Sequence, residues 1–446
     1  MIPTRREVLA SLTYASALRG GNEALPEYLT GAKLYNDVQH YSDLGEHRTA
    51  TPGDWKTADW LAARLTDAGL RTTREPFTIP QFFLDRFRLE VAGKAVPAFP
   101  MWYPASTGPR PVTGHLQAVT GRESWPDLKG KIAFLEISYA GGSITPQTGQ
   151  LEVIAKLAAA GAVGVAGVTA APSGELMALN AQAGTNSLPI PVMLLGKRAA
   201  DRLKDGQPAS ILIGGRLDTA ATAYEVVGHL DRGGPLLVVS TPASGWFHCA
   251  GERGTGIALW LGLAKRAAER KNVSYIFVAS SAHELDGRGV RSFLEHHAPK
   301  PPEVACWVHL GASIASYDWD LSTATPKRLP RVFAGTRLMC NRPDLLSLLR
   351  NTFSETAYKP EQVTDPPGEL AFIFQQGYRA LGFAGGHAYH HAPGDTADRT
   401  TGPNLLEPVA RALARTFDSL ESIALNNMAL NKAKFPGITR RTETLS

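Results

Sequence analysis

Cysteine is scarce in this chain. The 446 residues hold Cys249, Cys306 and Cys340, too few for a disulfide framework and without the C-x-x-C spacing of a metal knot. Their apolar strand-like or loop-like surroundings predict buried thiols. Long apolar runs are also missing: none approaches the ~18 residues a membrane helix needs, so the chain is expected to be soluble or exported. No basic block stands out, because 46 Lys and Arg are interspersed with 41 Asp and Glu for a net charge of +5. That even spread argues against a nucleic-acid surface. Internal repeats and low-complexity segments are absent.

What remains is ordinary globular composition, 43% hydrophobic and 20% charged, in a chain longer than one core usually serves, so two domains are expected. The start, Thr4-Arg5-Arg6-Glu7-Val8-Leu9 followed by an apolar stretch to Leu18, resembles a twin-arginine export signal, with Ala15-Ser16-Ala17 as a small-residue cleavage site. The alternative is an amphipathic helix with Val8, Leu12, Ala15 and Leu18 on one face. The second reading is favoured, and with it a cytoplasmic location.

Further along, Gly53 to Gly69 places Trp55, Ala58, Leu61, Ala62 and Leu65 at helical spacing and ends in Gly, a usual helix stop. A strand-rich region follows, with runs at Phe87 to Val91, Lys131 to Ile137, Val163 to Val168 and Ile211 to Ile213 separated by Gly, Pro and Ser. One alanine-rich helix, Leu151 to Ala160, interrupts it. After about Ala220 strands and helices alternate. The strands Pro235 to Thr241, Val273 to Ser280, Val304 to Leu310 and Arg379 to Ala384 are interleaved with helices at Gly256 to Arg270, Arg288 to His297, Pro343 to Glu355 and Asn404 to Leu425. Such alternation implies a mostly parallel sheet sandwiched by helices.

In open α/β sheets the ligand crevice lies outside the carboxyl ends of the strands. Here those ends are polar. His283-Glu284 follow one strand, His309 ends the next, and Gly386-His387-Ala388-Tyr389-His390-His391 follow the last. Glu252, in AGERGTG, precedes the helix near Gly256. Imidazole and carboxylate suit a borderline divalent metal such as zinc, and delivery from several loops is typical of a catalytic ion. Glu252, Glu284, His309 and His391 are therefore the candidate ligands. His47, His296 and His297 read as surface or helix-end residues, while His387 and His390 read as partners of a ligand or simple loop residues.

At these residues the sequence resembles the zinc aminopeptidases that include aminopeptidase Y, glutamate carboxypeptidase II and the glutaminyl cyclases. The likeness begins after about residue 26, where SDLGEHRTATPGDWKTADWLAARLTDAGL is similar to the family's opening segment. DLKGKIAFLE, GAVGVAGV and LPIPVMLLGKRAADRL resemble the protease-associated domain that many members carry as an insertion, and ATAYEVVGHLDRGGPLLVVST resembles the return to the catalytic sheet. The implied fold is an α/β three-layer sandwich with a mostly parallel central sheet plus an inserted β-rich protease-associated domain. Residues 26–80 and 220–430 would form the metallopeptidase-like domain and 81–219 the insertion, between an N-terminal segment 1–25 and a tail 431–446.

The resemblance also assigns roles. The family's His-x-Asp corresponds to Thr241-Pro242-Ala243, so both groups are gone, and its bridging Asp corresponds to Glu252. The paired glutamates, general base then ligand, correspond to His283 and Glu284. An Asp ligand becomes His309, and the last His ligand matches His391, with Asp395-Thr396 beyond it. One metal of the family's two is the implied count, with a different geometry or help from His248 needed for another, and glutaminyl cyclases show that the fold tolerates a single zinc. The expected function is a metal-dependent hydrolase of a peptide or small amide, with one zinc, or else iron or manganese, and His283 as base. The rivals are a lapsed enzyme kept as a peptide-binding module and a single-metal cyclase or non-peptide amidase. The pocket walls are expected from Tyr317 to Arg337 and from the insertion; the sequence leaves the oligomeric state open.

Overall fold

A computed structural model of the chain describes residues 24–120, 125, 127–137, 148–182, 188–322 and 326–434. The N-terminal signal or helix expected before Leu18 lies outside these residues, as does most of the tail. The first strands are β1 (Arg71–Val91), β2 (Lys94–Val96), β3 (Ala98–Pro100), β4 (Val112–Ala118), β5 (Ile132–Ile137), β6 (Gly164–Thr169), β7 (Val192–Gly196) and β8 (Pro208–Leu230). They are followed by β9 (Leu236–Pro242), β10 (Ser274–Ser280), β11 (Val304–Leu310), β12 (Tyr317–Asp320), β13 (Lys327–Val332), β14 (Arg337–Cys340), β15 (Glu361–Gln362) and β16 (Ala380–Ala384).

One large sheet runs in the order β15-β14-β16-β11-β9-β10-β8-β4-β5-β6-β7-β3. Its centre is parallel, since β9 pairs in parallel with both β10 and β11, and β11 with β16. Each of these strands is an apolar run buried on both faces, as a parallel sheet between helices requires. The pleat divides them: Leu237, Val239, Phe277 and Val308 face one core, and Val238, Val278 and Trp307 the other. The first core is closed by the helices Gly31–Asp43, Pro52–Asp67, Thr255–Ala268, Pro343–Thr352 and Pro403–Lys434 through residues such as Leu34, Leu61, Ile257, Leu345 and Leu413. The second is closed by Arg288–His296 and Glu369–Gln375 through Phe293, Leu370 and Ile373. Each such side chain contributes roughly 1.5–3 kcal/mol on leaving water. This is the three-layer α/β architecture expected, with Cys249, Cys306 and Cys340 as buried free thiols.

The strands β1 and β8 form a ribbon paired from Arg71↔His229 to Val91↔Ala209. One end of β8 pairs with β10 and the other with β4, so a single strand belongs to both parts of the sheet. The boundaries expected at 80/81 and 219/220 both fall inside this ribbon. Pro76 and Pro80 break the strand signal in β1, which is why only Phe87 to Val91 is legible there. A proline is tolerated where a strand lacks a neighbour on one side, and β1 pairs elsewhere only with β2, at Leu89 to Val91. Among the described residues no helix is long and apolar enough to cross a membrane.

His47 is a correction to the surface reading. It is wholly buried, stacked on the Tyr41 ring at a centroid distance of 3.7 Å, with Nδ1 at 2.9 Å from the Thr57 hydroxyl. Helix packing has swallowed it, and burial pushes its pKa down to about 3. Burial acts oppositely on two acids, raising Asp54 and Glu225 to about 8 each. Glu225, on β8 opposite Glu75, lies beside Ser292 and Phe293 without a well-formed hydrogen bond to either oxygen.

The linkage has a definite sign. A depressed imidazole loses stability as pH falls below its unfolded value near 6.5, whereas a raised carboxyl loses stability as pH climbs from about 4.5 to its folded value near 8. The two effects oppose each other below pH ~6.5, and only the carboxyl effect persists above it. Thermal unfolding followed by circular dichroism should therefore show stability falling between about pH 6.5 and 8. Glu225→Gln should recover about 2 kcal/mol of that fall, and a variant with the same slope as wild type would refute a neutral buried Glu225.

Candidate active site

Chain reversal after β9 leads to a π-helical turn at Ala250–Gly254, then directly into the helix Thr255–Ala268. Such turns re-aim side chains at functional sites. Asp395 holds this one: its Oδ1 accepts from the Gly251 amide (2.7 Å) and the Thr400 hydroxyl (2.7 Å), and its Oδ2 accepts from the Glu252 amide (3.0 Å). Gly251 has to be glycine, because a Cβ there would lie 2.7 Å from Thr400 Oγ1 and 3.0 Å from Asp395 Oδ1. The turn aims Glu252, fully buried, at the loop that follows β16.

That loop supplies His390 and His391. Glu252 Oε1 lies 3.1 Å from His391 Nε2 and 3.9 Å from His390 Nε2, and the two imidazoles stack with centroids 4.4 Å apart. Among the described residues Glu252, His390 and His391 are the one group of His, Cys, Asp or Glu side chains able to converge on an ion. His391 Nδ1 lies 3.0 Å from the Ala178 carbonyl, an acceptor only, so Nδ1 carries a proton and Nε2 is the nitrogen turned toward Glu252. Nε2 and Glu252 Oε1 thus face each other across 3.1 Å, and neither atom makes a hydrogen bond of proper geometry. A proton or a cation has to sit between them. Tetrahedral zinc with bonds of about 2.0–2.2 Å sets its ligand atoms roughly 3.3–3.5 Å apart, so this set fits a divalent ion.

Electrostatics point the same way. Burial alone would raise the Glu252 carboxyl, yet Arg253, His390 and His391 hold it well below the ordinary carboxylate range. His390, 14% exposed, is pushed well below the ordinary imidazole value, chiefly by burial, and so stays neutral as a ligand must. The Arg253 guanidinium, 1% exposed, lies 2.6 Å from Glu252 Oε1 and anchors Nε on the Ser244 carbonyl at 2.9 Å.

The other sequence-level candidates sit elsewhere in the crevice. Glu284 is not drawn into the group: its Oε1 accepts from the Thr49 amide (2.7 Å) and hydroxyl (2.6 Å), and its Oε2 from the Ser244 hydroxyl (2.7 Å). It ties the loop around Thr49 to the loop after β9. His309 is also apart, with Nδ1 2.9 Å from a Ser240 hydroxyl that accepts from the Trp307 indole at 2.7 Å. Burial lowers its pKa to about 4. Thr241, where the resemblance would place a metal-binding His, donates its hydroxyl to the Leu310 carbonyl at 2.8 Å. His248 turns away, Nδ1 lying 3.0 Å from the Ser42 carbonyl.

His283 forms the second feature of the crevice. Its Nδ1 lies 2.9 Å from Glu369 Oε1, and Glu369 Oε2 accepts from the Ser280 hydroxyl at 3.1 Å. Glu369 is buried; desolvation would raise its carboxyl, but the His283 hydrogen bond with the charges of His283, His309 and Arg253 keeps it below the ordinary value. Gly368 delivers it, at φ 67° and ψ −152°, a conformation essentially confined to glycine. Sequence reading missed Glu369, Arg253 and the convergence of His390. The available signal for Glu369 was its position just after a Pro-Pro-Gly turn, and for Arg253 its adjacency to Glu252.

The loops are strained around these groups. Ala50, Phe247, Cys249, Ala282, Ser313 and His391 all have positive φ, between 46° and 60°, and each lies within a few residues of Thr49, Glu252, His283 or the His390–His391 pair, or bonds to one of them. A non-glycine residue in this region costs on the order of 1–3 kcal/mol, which rigid surroundings have to offset.

No protein-family model matches the chain, and no curated protein matches its sequence. Solved structures do. A zinc aminopeptidase from Bacillus subtilis superposes with a TM-score of 0.68 at 16% identity, covering 89% of this chain and 96% of its own. A peptidase M28 precursor from Shewanella amazonensis gives a TM-score of 0.64 at 15% identity, covering 88% and 96%, and an aminopeptidase from Aneurinibacillus gives 0.59 at 16%, covering 88% and 94%. The likeness establishes the fold. At this identity the chemistry has to be argued from the residues themselves.

Because Asp395 secures two backbone amides and a hydroxyl in the turn that aims Glu252, Asp395→Ala should lower stability by about 1–3 kcal/mol. Denaturant unfolding measures this, and an unchanged midpoint would contradict the clasp.

Proposed function

We propose that this chain is a metal-dependent hydrolase of an amide or peptide bond, aminopeptidase-like, with one divalent ion held by Glu252, His390 and His391. Zinc suits the set best; two imidazoles and a carboxylate also accommodate iron or manganese. The observation that carries the reading is the buried, unbonded confrontation of Glu252 Oε1 and His391 Nε2 at 3.1 Å. When bound, the ion supplies Lewis acidity toward a carbonyl and acidifies a water.

The protein's own groups do the rest. Glu369 accepts the Nδ1 proton of His283 and so leaves Nε2 as the basic nitrogen, and the His283 side chain is 16% exposed, open enough to exchange a proton with substrate. Imidazole is a competent base near neutral pH. The Ala178 carbonyl fixes the His391 ring, and residues 173–181 press onto the same crevice through the Ser173, Ala178 and Ala181 amides, bonded to Ala388, His391 and Glu284. We read residues 81–219 as a protease-associated-like insertion, one segment of which walls the site and narrows the substrate to a peptide end or small amide.

A second reading, a lapsed enzyme retained as a binding module, is favoured by the Arg253 guanidinium that already neutralises Glu252. Elemental analysis separates the two. The wild type should carry about one equivalent of metal, lost in Glu252→Gln and His391→Ala but retained in Glu284→Gln and His283→Ala. On a panel of aminoacyl amides His283→Ala should lose about 10²–10⁴-fold in kcat. Metal lost from Glu284→Gln would make Glu284 a ligand, and a metal-free wild type that zinc does not stabilise would leave the binding module standing.

A further inference from the structure

We propose that Arg253 and a divalent cation compete for the same Glu252 oxygen, so that the guanidinium sets how tightly the centre takes metal. The proposal rests on the metal-dependent reading above. Arg253 Nη2 lies 2.6 Å from Glu252 Oε1, the atom that also faces His391 and His390. Both side chains of the ion pair are almost wholly buried, where unlike charges attract strongly and like charges repel strongly. A guanidinium cannot relieve that repulsion by giving up a proton. An ion entering the group therefore meets a fixed positive charge already seated on its carboxylate.

The contacts of Arg253 show where the guanidinium goes when displaced. Nε is tied to the Ser244 carbonyl, which anchors the stem, while Nη1 and Nη2 make no hydrogen bond of proper geometry. The fork is thus held by charge rather than by directed hydrogen bonds. Glu369 is near enough for its charge to act on the guanidinium. Metal-free protein keeps Arg253 on Glu252; loaded protein has the guanidinium turned toward Glu369. Glu252 then has two alternating partners, and Arg253 links the metal group to the carboxylate that orients His283.

Zinc titration of the metal-free full-length chain against a chromophoric chelator tests this directly. Arg253→Gln should take one equivalent of zinc at least tenfold more tightly than wild type, with Arg253→Lys, which keeps the charge, nearer to wild type. Equal or weaker binding by Arg253→Gln, with zinc still binding the wild type, overturns the competition and leaves the metal reading intact. Failure of zinc to bind either protein overturns both. Should Arg253→Gln not unfold cooperatively, the wild type alone decides: in an arginine-labelled NMR spectrum zinc should shift the Arg253 Nε–H resonance, and an unmoved resonance refutes the displacement.

Discussion

A carboxylate removed from water stays ionised only where fixed charges and donors replace the solvent, and Glu252, with 0% exposure, is such a group. Much of the surrounding structure serves that requirement. The π-turn places the residue, Asp395 holds the turn by its amides, and Thr400 returns to bond Asp395. The loop after β16 has to adopt a left-handed backbone at His391, φ 57°, for the imidazole to meet Glu252. None of these devices adds much stability by itself. Together they fix one oxygen against a nitrogen and a guanidinium within 3.1 Å.

The ribbon of β1 and β8 has a matching role at larger scale. A domain on flexible linkers could not align side chains to tenths of an ångström, but this segment is continuous with the sheet through β8. Its residues 173–181 bond through the Ser173, Ala178 and Ala181 amides to Ala388, His391 and Glu284. The Ala178 carbonyl selects the His391 tautomer, and Asn180 accepts from the Trp246 indole at 3.0 Å. Phe99, Trp102 and Trp246 pack edge and face with centroids 5.2 to 6.0 Å apart, sealing the joint. Function at the crevice thus depends on residues more than two hundred positions away in the chain.

The layer architecture was legible because buried parallel strands read as short apolar runs and their helices as periodic ones. The ribbon was not, since prolines and exposed charges along β1 mask a strand whose reason is its partner. At the site, strand-end polarity pointed to Glu252 and His391, two of the three side chains that converge, and to His283, which pairs with Glu369. It could not separate His390 from its neighbours, because adjacent residues normally diverge, and here the left-handed step at His391 makes the two rings stack. Glu284 looked like a ligand from its place after β10, yet its oxygens are taken by Thr49 and Ser244, groups that only tertiary structure brings there. Glu369 lies nearly ninety residues from His283, and no local pattern connects them.

Charge balance across the crevice supplies an argument independent of any relative. Glu284 and Asp395 accept hydrogen bonds on both oxygens, and Glu252 and Glu369 are held below the ordinary carboxylate range by their neighbours. Against these four stand two buried guanidiniums, Arg253 and Arg48, while His390 and His309 are kept neutral by burial. Carboxylates therefore outnumber guanidiniums here, the more so because Arg48 is itself paired with Glu46. On the reading proposed above, a divalent ion would reduce that excess. Because the ligands of a metal have to be deprotonated, metal uptake at this group would be coupled to proton release. On the same reading, Arg253 is a fixed cation already seated beside the group that would take the ion.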